Sequence, residues 1–196
     1  MNPDSSLSSR PLASASGSSS DSDEEPPSRG PSRAGRDAAE EALIWIDRRT
    51  PGSAATGIRI DLAWLISRGR ELAVHLPERV AEVAIALLDD AEMDRLHREH
   101  CGVAGTTDVL SYLDPDGHPA GGLVGDLAIG VEVAQREAAL RGRRVEEEIL
   151  LYAAHGLLHL AGERDDTAAA ATQMREAQDR IMRAIGLPAT EEEPSP

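Results

Sequence analysis

His155 and His159 stand four residues apart in EEEILLYAAHGLLHLAGERDD (146–166), the most apolar helical stretch of the chain. On a helix that spacing puts both imidazoles on one face with an axial offset of about 6 Å, so one ion can bridge them. Gly162 can end the helix, and three acidic residues follow it: Glu163, Asp165 and Asp166. A reversed chain can return any of the three to the same face, and Asp165 has the best spacing. Two neutral imidazoles and one carboxylate suit a single Zn2+ ion and leave a position for a water whose pKa the metal lowers toward neutrality. The chemistry expected is metal-assisted hydrolysis, with the metal-bound water as the reacting group.

The residue between the histidines narrows the reaction. A zinc metalloprotease also carries two histidines four apart, but needs Glu beside the first as general base, and this chain has Gly156 there. Phosphodiester cleavage depends less on such a base, because the metal itself stabilises charge on the phosphoryl oxygens. Other polar residues have structural readings. Cys101 precedes Gly102 with no nucleophile motif and is expected to be small and semi-buried; His97 and His100 are expected at a solvated helix end, and His118 in an exposed loop. Asp126, acidic within an apolar strand, needs a partner, either in a loop or lining the cleft. Thr107 and Ser111 can bond a phosphate or satisfy strand ends.

Several elements must position these groups. ALIWID (42–47) reads as a strand, followed by a turn at Thr50-Pro51-Gly52 and a helix near Ile60 to His75. VAEVAIALLD (80–89) is a second strand, and Asp89-Asp90 caps a helix from about Ala91 to His100. TDVLSYL (107–113) and VGDLAIGVEV (124–133) are the third and fourth strands, separated by the loop DPDGHPAGG. Helices then run to Leu140, stopping at Arg141-Gly142, from Val145 to about Ala161, and from Thr167 to Ile185.

Length and composition allow one core. The 196 residues are 40% hydrophobic, enough for a single ordinary domain. Residues 1–40 are Ser/Pro/Gly-rich and expected to be disordered, 41–187 form the globular domain, and 188–196 an acidic tail. With no Phe and only two Trp and two Tyr, a base-stacking surface is not expected. The net charge of −15 argues against a general nucleic-acid surface, and no DNA partner is expected. A local cationic cleft built from the metal, Arg98 and the Arg143-Arg144 pair remains compatible with RNA. One cysteine, no signal-like N-terminus and no apolar run near membrane-spanning length point to a cytoplasmic protein with no membrane partner.

HGLLHLAGERDD resembles the signature HGxLHLxGYDH of the YbeY family of endoribonucleases, matching at His155, Gly156, Leu158, His159, Leu160 and Gly162. TDVLSY (107–112) is similar to the family's TDVLSF strand, VGDLAIG (124–130) to its LGDIVI strand, and EMDRLHREH (92–100) to the helix before them. The resemblance covers roughly residues 41 to 187 in the right order. It implies an α/β (α+β) fold, a single compact domain with a small mixed four-stranded sheet packed against helices, and one zinc-type ion on the helix motif. It also implies single-strand-specific RNA cleavage in maturation and quality control of the small ribosomal subunit, with ribosomal RNA precursor and that subunit as partners. The family's third histidine falls on Asp165 and its Tyr-Asp on Glu163-Arg164. Its arginine before the Thr-Asp strand, which contacts substrate phosphate, falls on Cys101; Arg98, one helical turn earlier, is the candidate substitute. These departures keep open a ribosome-associated metal-binding protein with weak or lost catalysis.

Overall fold

A computed structural model describes residues 43–47 and 58–188. They all lie in the compact unit Asp37–Pro196. The expectations for 1–40, for the turn at Thr50-Pro51-Gly52, and for the tail beyond Pro188 fall outside the described residues. The elements in order are β1 (Leu43–Asp47), α1 (Leu62–Ala73), β2 (Val80–Leu88), α2 (Asp90–Cys101), β3 (Val109–Leu113), β4 (Leu123–Gly130), α3 (Val131–Arg141), α4 (Val145–Leu160) and α5 (Ala168–Ala184).

The strands form a mixed sheet in the order β1-β2-β4-β3, so the α/β class is as expected. β1 and β4 flank β2 in parallel, with Ile44 opposite Val83 and Ile85 opposite Leu127; β3 closes the edge antiparallel to β4, Ser111 opposite Leu127. Strand side chains alternate between faces. Val83, Ile85 and Leu87 of β2 and Leu127 and Ile129 of β4 therefore join the main core with Leu65 and Leu72 of α1, Ile149, Leu150, Leu157 and Leu158 of α4, and Met174 and Ile181 of α5. The other face carries a smaller cluster in which Met93 of α2 covers Leu88 and Ala128.

α4 is apolar on nearly all sides because it is packed on nearly all sides. Its three glutamates crowd the first turn, where the helix dipole favours negative charge. Glu148 is fully buried and answers the Arg141 guanidinium, while Glu146 accepts the Asp61 backbone N–H at 3.0 Å. Farther along, Gly156 lets the helix lie against the sheet: a Cβ there would sit 2.7 Å from Leu127 Cδ2 and 3.0 Å from Val109 Cγ2.

α1 is two residues shorter at each end than the expected Ile60 to His75, and two strand boundaries also differ from the sequence reading. The fourth strand ends at Gly130, and Val131–Val133, expected to extend it, begin α3. Gly130 is pinned there, its N–H donating to the Asp108 carbonyl at 2.9 Å, and a Cβ would lie 2.8 Å from the Thr107 carbonyl oxygen. The third strand starts at Val109, two residues later than expected. Asp108 turns back on the chain instead, accepting the Val109 N–H at 2.8 Å and the Thr107 hydroxyl at 3.0 Å.

Candidate metal centre

α4 stops as the sequence anticipates. Gly162 takes the left-handed conformation at φ 90°, and the Glu163 N–H reaches back to the Leu158 carbonyl at 3.0 Å, a glycine-terminated reversal that satisfies the last carbonyls. Thr167 then caps α5, its side chain accepting the Ala170 N–H at 3.1 Å. The short turn between these helices carries the acidic residues back over the last two turns of α4.

Of the three acidic candidates, the turn delivers Asp165. Its Oδ2 lies 3.6 Å from His155 Nε2 and 3.7 Å from His159 Nε2, and the two nitrogens are 3.1 Å apart. Asp166 is turned aside into an ion pair with Arg164 at 2.6 Å, and the hydrogen bond from that guanidinium lowers its pKa. Glu163 contributes its backbone: the carbonyl oxygen accepts from His159 Nδ1 at 3.0 Å. His155 Nδ1 in turn donates to Gln178 Oε1 on α5, at 3.3 Å.

When Nδ1 donates on both rings, each imidazole presents an Nε2 lone pair inward, and Asp165 adds a carboxylate oxygen. Three electron-rich atoms so close together repel unless a positive charge stands among them. Nitrogen and oxygen donors about 2 Å from a common ion lie roughly 3 to 4 Å from one another, as these do. Occupied outer nitrogens are also usual for histidines that bind metal. The triad is partly exposed to solvent, with side-chain exposures of 20%, 29% and 44% for His155, His159 and Asp165.

Gln178 escaped the sequence reading, although a signal exists. Met174, Ala177, Gln178 and Ile181 follow the apolar helical spacing of α5, so position 178 puts a carboxamide in the buried stripe. A polar side chain there calls for a partner.

The remaining candidates lie apart from the triad. Arg98 pairs with Asp94 at 2.9 Å, and Asp94 also accepts the Gly105 N–H; both hydrogen bonds hold its carboxyl below the usual range, that from Arg98 the more. No contact between Arg98 and the triad occurs among the described residues. Cys101, expected to be semi-buried, is exposed at the end of α2. The Arg143-Arg144 pair does not belong to the same cleft. Arg144 stands at the start of α4, eleven residues before His155 and thus about 16 Å away along the axis, with its guanidinium 4.6 Å from the Trp64 ring.

Asp126 alternates with Gly125 and Leu127, which face α4, and so projects to the opposite face of the sheet, beside Glu82 and Tyr112. It does not line the triad's cleft. Thr107 is engaged with Asp108, His97 Nδ1 bonds the Gly105 carbonyl at 2.8 Å, and His118 accepts the Ala120 N–H.

A family model described as endoribonuclease YbeY matches residues 65–186. An endoribonuclease YbeY of Moorella thermoacetica is 40% identical over 119 residues, covering 55% of this chain and 74% of that protein. One from Desulfitobacterium hafniense is 36% identical over 143 residues, covering 66% of this chain and 88% of the relative. Among solved structures, a solution structure from Thermotoga maritima is 21% identical and covers 73% of this chain and 89% of its own, with a TM-score of 0.48.

Proposed function

This chain belongs to the YbeY family of endoribonucleases, and from that premise we propose that it is a single-strand-specific, metal-dependent endoribonuclease acting in the cytoplasm on ribosomal RNA precursor, in maturation and quality control of the small ribosomal subunit. The observation that carries the metal-dependent part is the convergence of His155, His159 and Asp165, with both outer imidazole nitrogens already bonded. These three residues would hold one zinc-type ion. When bound, such an ion supplies a Lewis acid for charge on phosphoryl oxygens.

The protein's own groups do the positioning. Glu163 and Gln178 aim the rings, and Asp165 lowers the positive charge of the site relative to a third imidazole. The partial exposure of the triad suits a phosphate within a polymer. The absence of a side chain at position 156 leaves no carboxylate beside His155, and the packing of Gly156 against Leu127 leaves no room for one. That argues against peptide hydrolysis, which relies on such a base.

Metal content and RNA cleavage by the purified protein, beside a His155→Ala/His159→Ala double variant, test the proposal. Bound zinc and cleavage are expected in the first and neither in the second. Equal metal in both ends the metal assignment, and equal cleavage removes the catalytic one.

One observation favours a second reading. The resemblance sets Cys101 against the family's arginine, and the structure pairs the neighbouring Arg98 with Asp94. A ribosome-associated metal-binding protein with weak or lost catalysis fits those facts. Zinc without cleavage, combined with cosedimentation with small ribosomal subunits, would select it.

A further inference from the structure

The hydrogen bonds around the triad differ in what they permit. His159 Nδ1 faces the Glu163 carbonyl, which can only accept, so the ring proton of neutral His159 sits on Nδ1 and its Nε2 is a lone pair. His155 Nε2 lies 3.1 Å away. Without a cation between them, two lone pairs at that distance are unfavourable, whereas an N–H on His155 Nε2 would make a good hydrogen bond to His159. His155 can carry its proton there only if its Nδ1 partner is a donor.

Gln178 can be either. Its carboxamide has an acceptor oxygen and a donor NH2 on one planar group, and it is 7% exposed, so few waters compete for it. With Oε1 toward the ring, His155 bears Nδ1–H and offers the Nε2 lone pair to an ion. After a half-turn of the amide, the NH2 donates to Nδ1, and His155 donates from Nε2 to His159. Each arrangement pairs both nitrogens of His155 without changing net charge.

We propose that Gln178 is a positioning residue that holds His155 in either of two tautomers, one closing the empty histidine pair with a hydrogen bond and the other presenting both lone pairs to a divalent ion. This rests on the metal reading of the triad. A glutamate at 178 could only accept and would keep His155 in the ion-binding tautomer; an apolar side chain of equal length would support neither.

The test uses the full chain, Gln178→Glu and Gln178→Met, the second chosen because it keeps the length and packing of the side chain. Nitrogen-15 NMR of the imidazoles at about pH 8, where histidine is ordinarily neutral, reads the tautomer directly, first without metal and then with zinc. Wild-type His155 is expected to carry its proton on Nε2 when empty and on Nδ1 with zinc; Gln178→Glu should show Nδ1–H throughout.

Zinc affinity should rise roughly tenfold in Gln178→Glu, since the competent tautomer is already populated. It should fall about ten- to a hundredfold in Gln178→Met, the usual range for losing a ligand's outer partner. An Nδ1–H tautomer in the empty wild-type protein, or one zinc affinity for all three chains, overturns the proposal. If wild type binds no zinc, the metal reading and the ion-coupled half fall together, while the empty-state tautomer still decides whether Gln178 sets the proton.

Discussion

Replacing Gly156 by alanine should destabilise the protein by about 1–3 kcal/mol, the usual cost of forcing atoms into a packed core. The added methyl would meet Leu127 at 2.7 Å. Urea titration of the variant checks it, and an unchanged midpoint would show that the α4–sheet contact can relax. At Asp165 the expected effect is on the ion rather than the fold: Asp165→Asn should lower zinc affinity at least tenfold by removing the anionic ligand, with the metal-free melting temperature unchanged, as titration calorimetry and a thermal melt would report. The two histidines were legible because a helical period of about 3.6 residues turns a spacing of four into a shared face. Among Glu163, Asp165 and Asp166 the spacing favours Asp165, but what sets the other two aside depends on how a glycine-terminated turn closes. Asp166 is drawn off by Arg164, a competition between neighbours that spacing does not reveal.

The turn from Gly162 to Thr167 is the element on which the placement of Asp165 depends. Gly162→Ala puts a Cβ on a residue at φ 90°, and a strain of roughly 1–2 kcal/mol is expected. If the turn adjusts to relieve that strain, Asp165 moves with it. Zinc affinity should then fall by more than the loss of folding stability accounts for, and equal losses in the two measurements would count against the turn as the positioning device. Most elements were readable from their punctuation: Asp89 before α2, Gly142 after α3 and Gly162 after α4 all act as the sequence suggests. The β4–α3 junction was not, because Val131 and Val133 are β-branched and continue the look of a strand. What ends β4 is the close approach of the Thr107 carbonyl to Gly130, a contact made by residues distant in sequence.

Taken whole, the chain is acidic, with a net charge of −15, so any RNA bound at the centre must be held by local contacts that outweigh the repulsion of the surrounding carboxylates. The chain also contains no lysine, so no ammonium groups titrate alongside tyrosine near pH 10. Tyr152 is buried in the core, and burial, reinforced by the charges of Glu148 and Asp108, pushes its phenol well above the ordinary value of 10.0. The folded chain therefore keeps a proton that the unfolded chain gives up near pH 10. This contribution to stability is fully present below that pH and declines as pH rises beyond it. Tyr152→Phe should flatten the alkaline fall in urea midpoint; an identical fall in both proteins would assign it elsewhere. The turn that carries Asp165 also carries Arg164, which makes it a cleavage site for trypsin whenever the backbone there can open. An ion that gathers Asp165 onto the α4 histidines would close that site, so the rate of cutting after Arg164, followed by mass with zinc and with chelator, becomes a clock for how long the centre stays assembled.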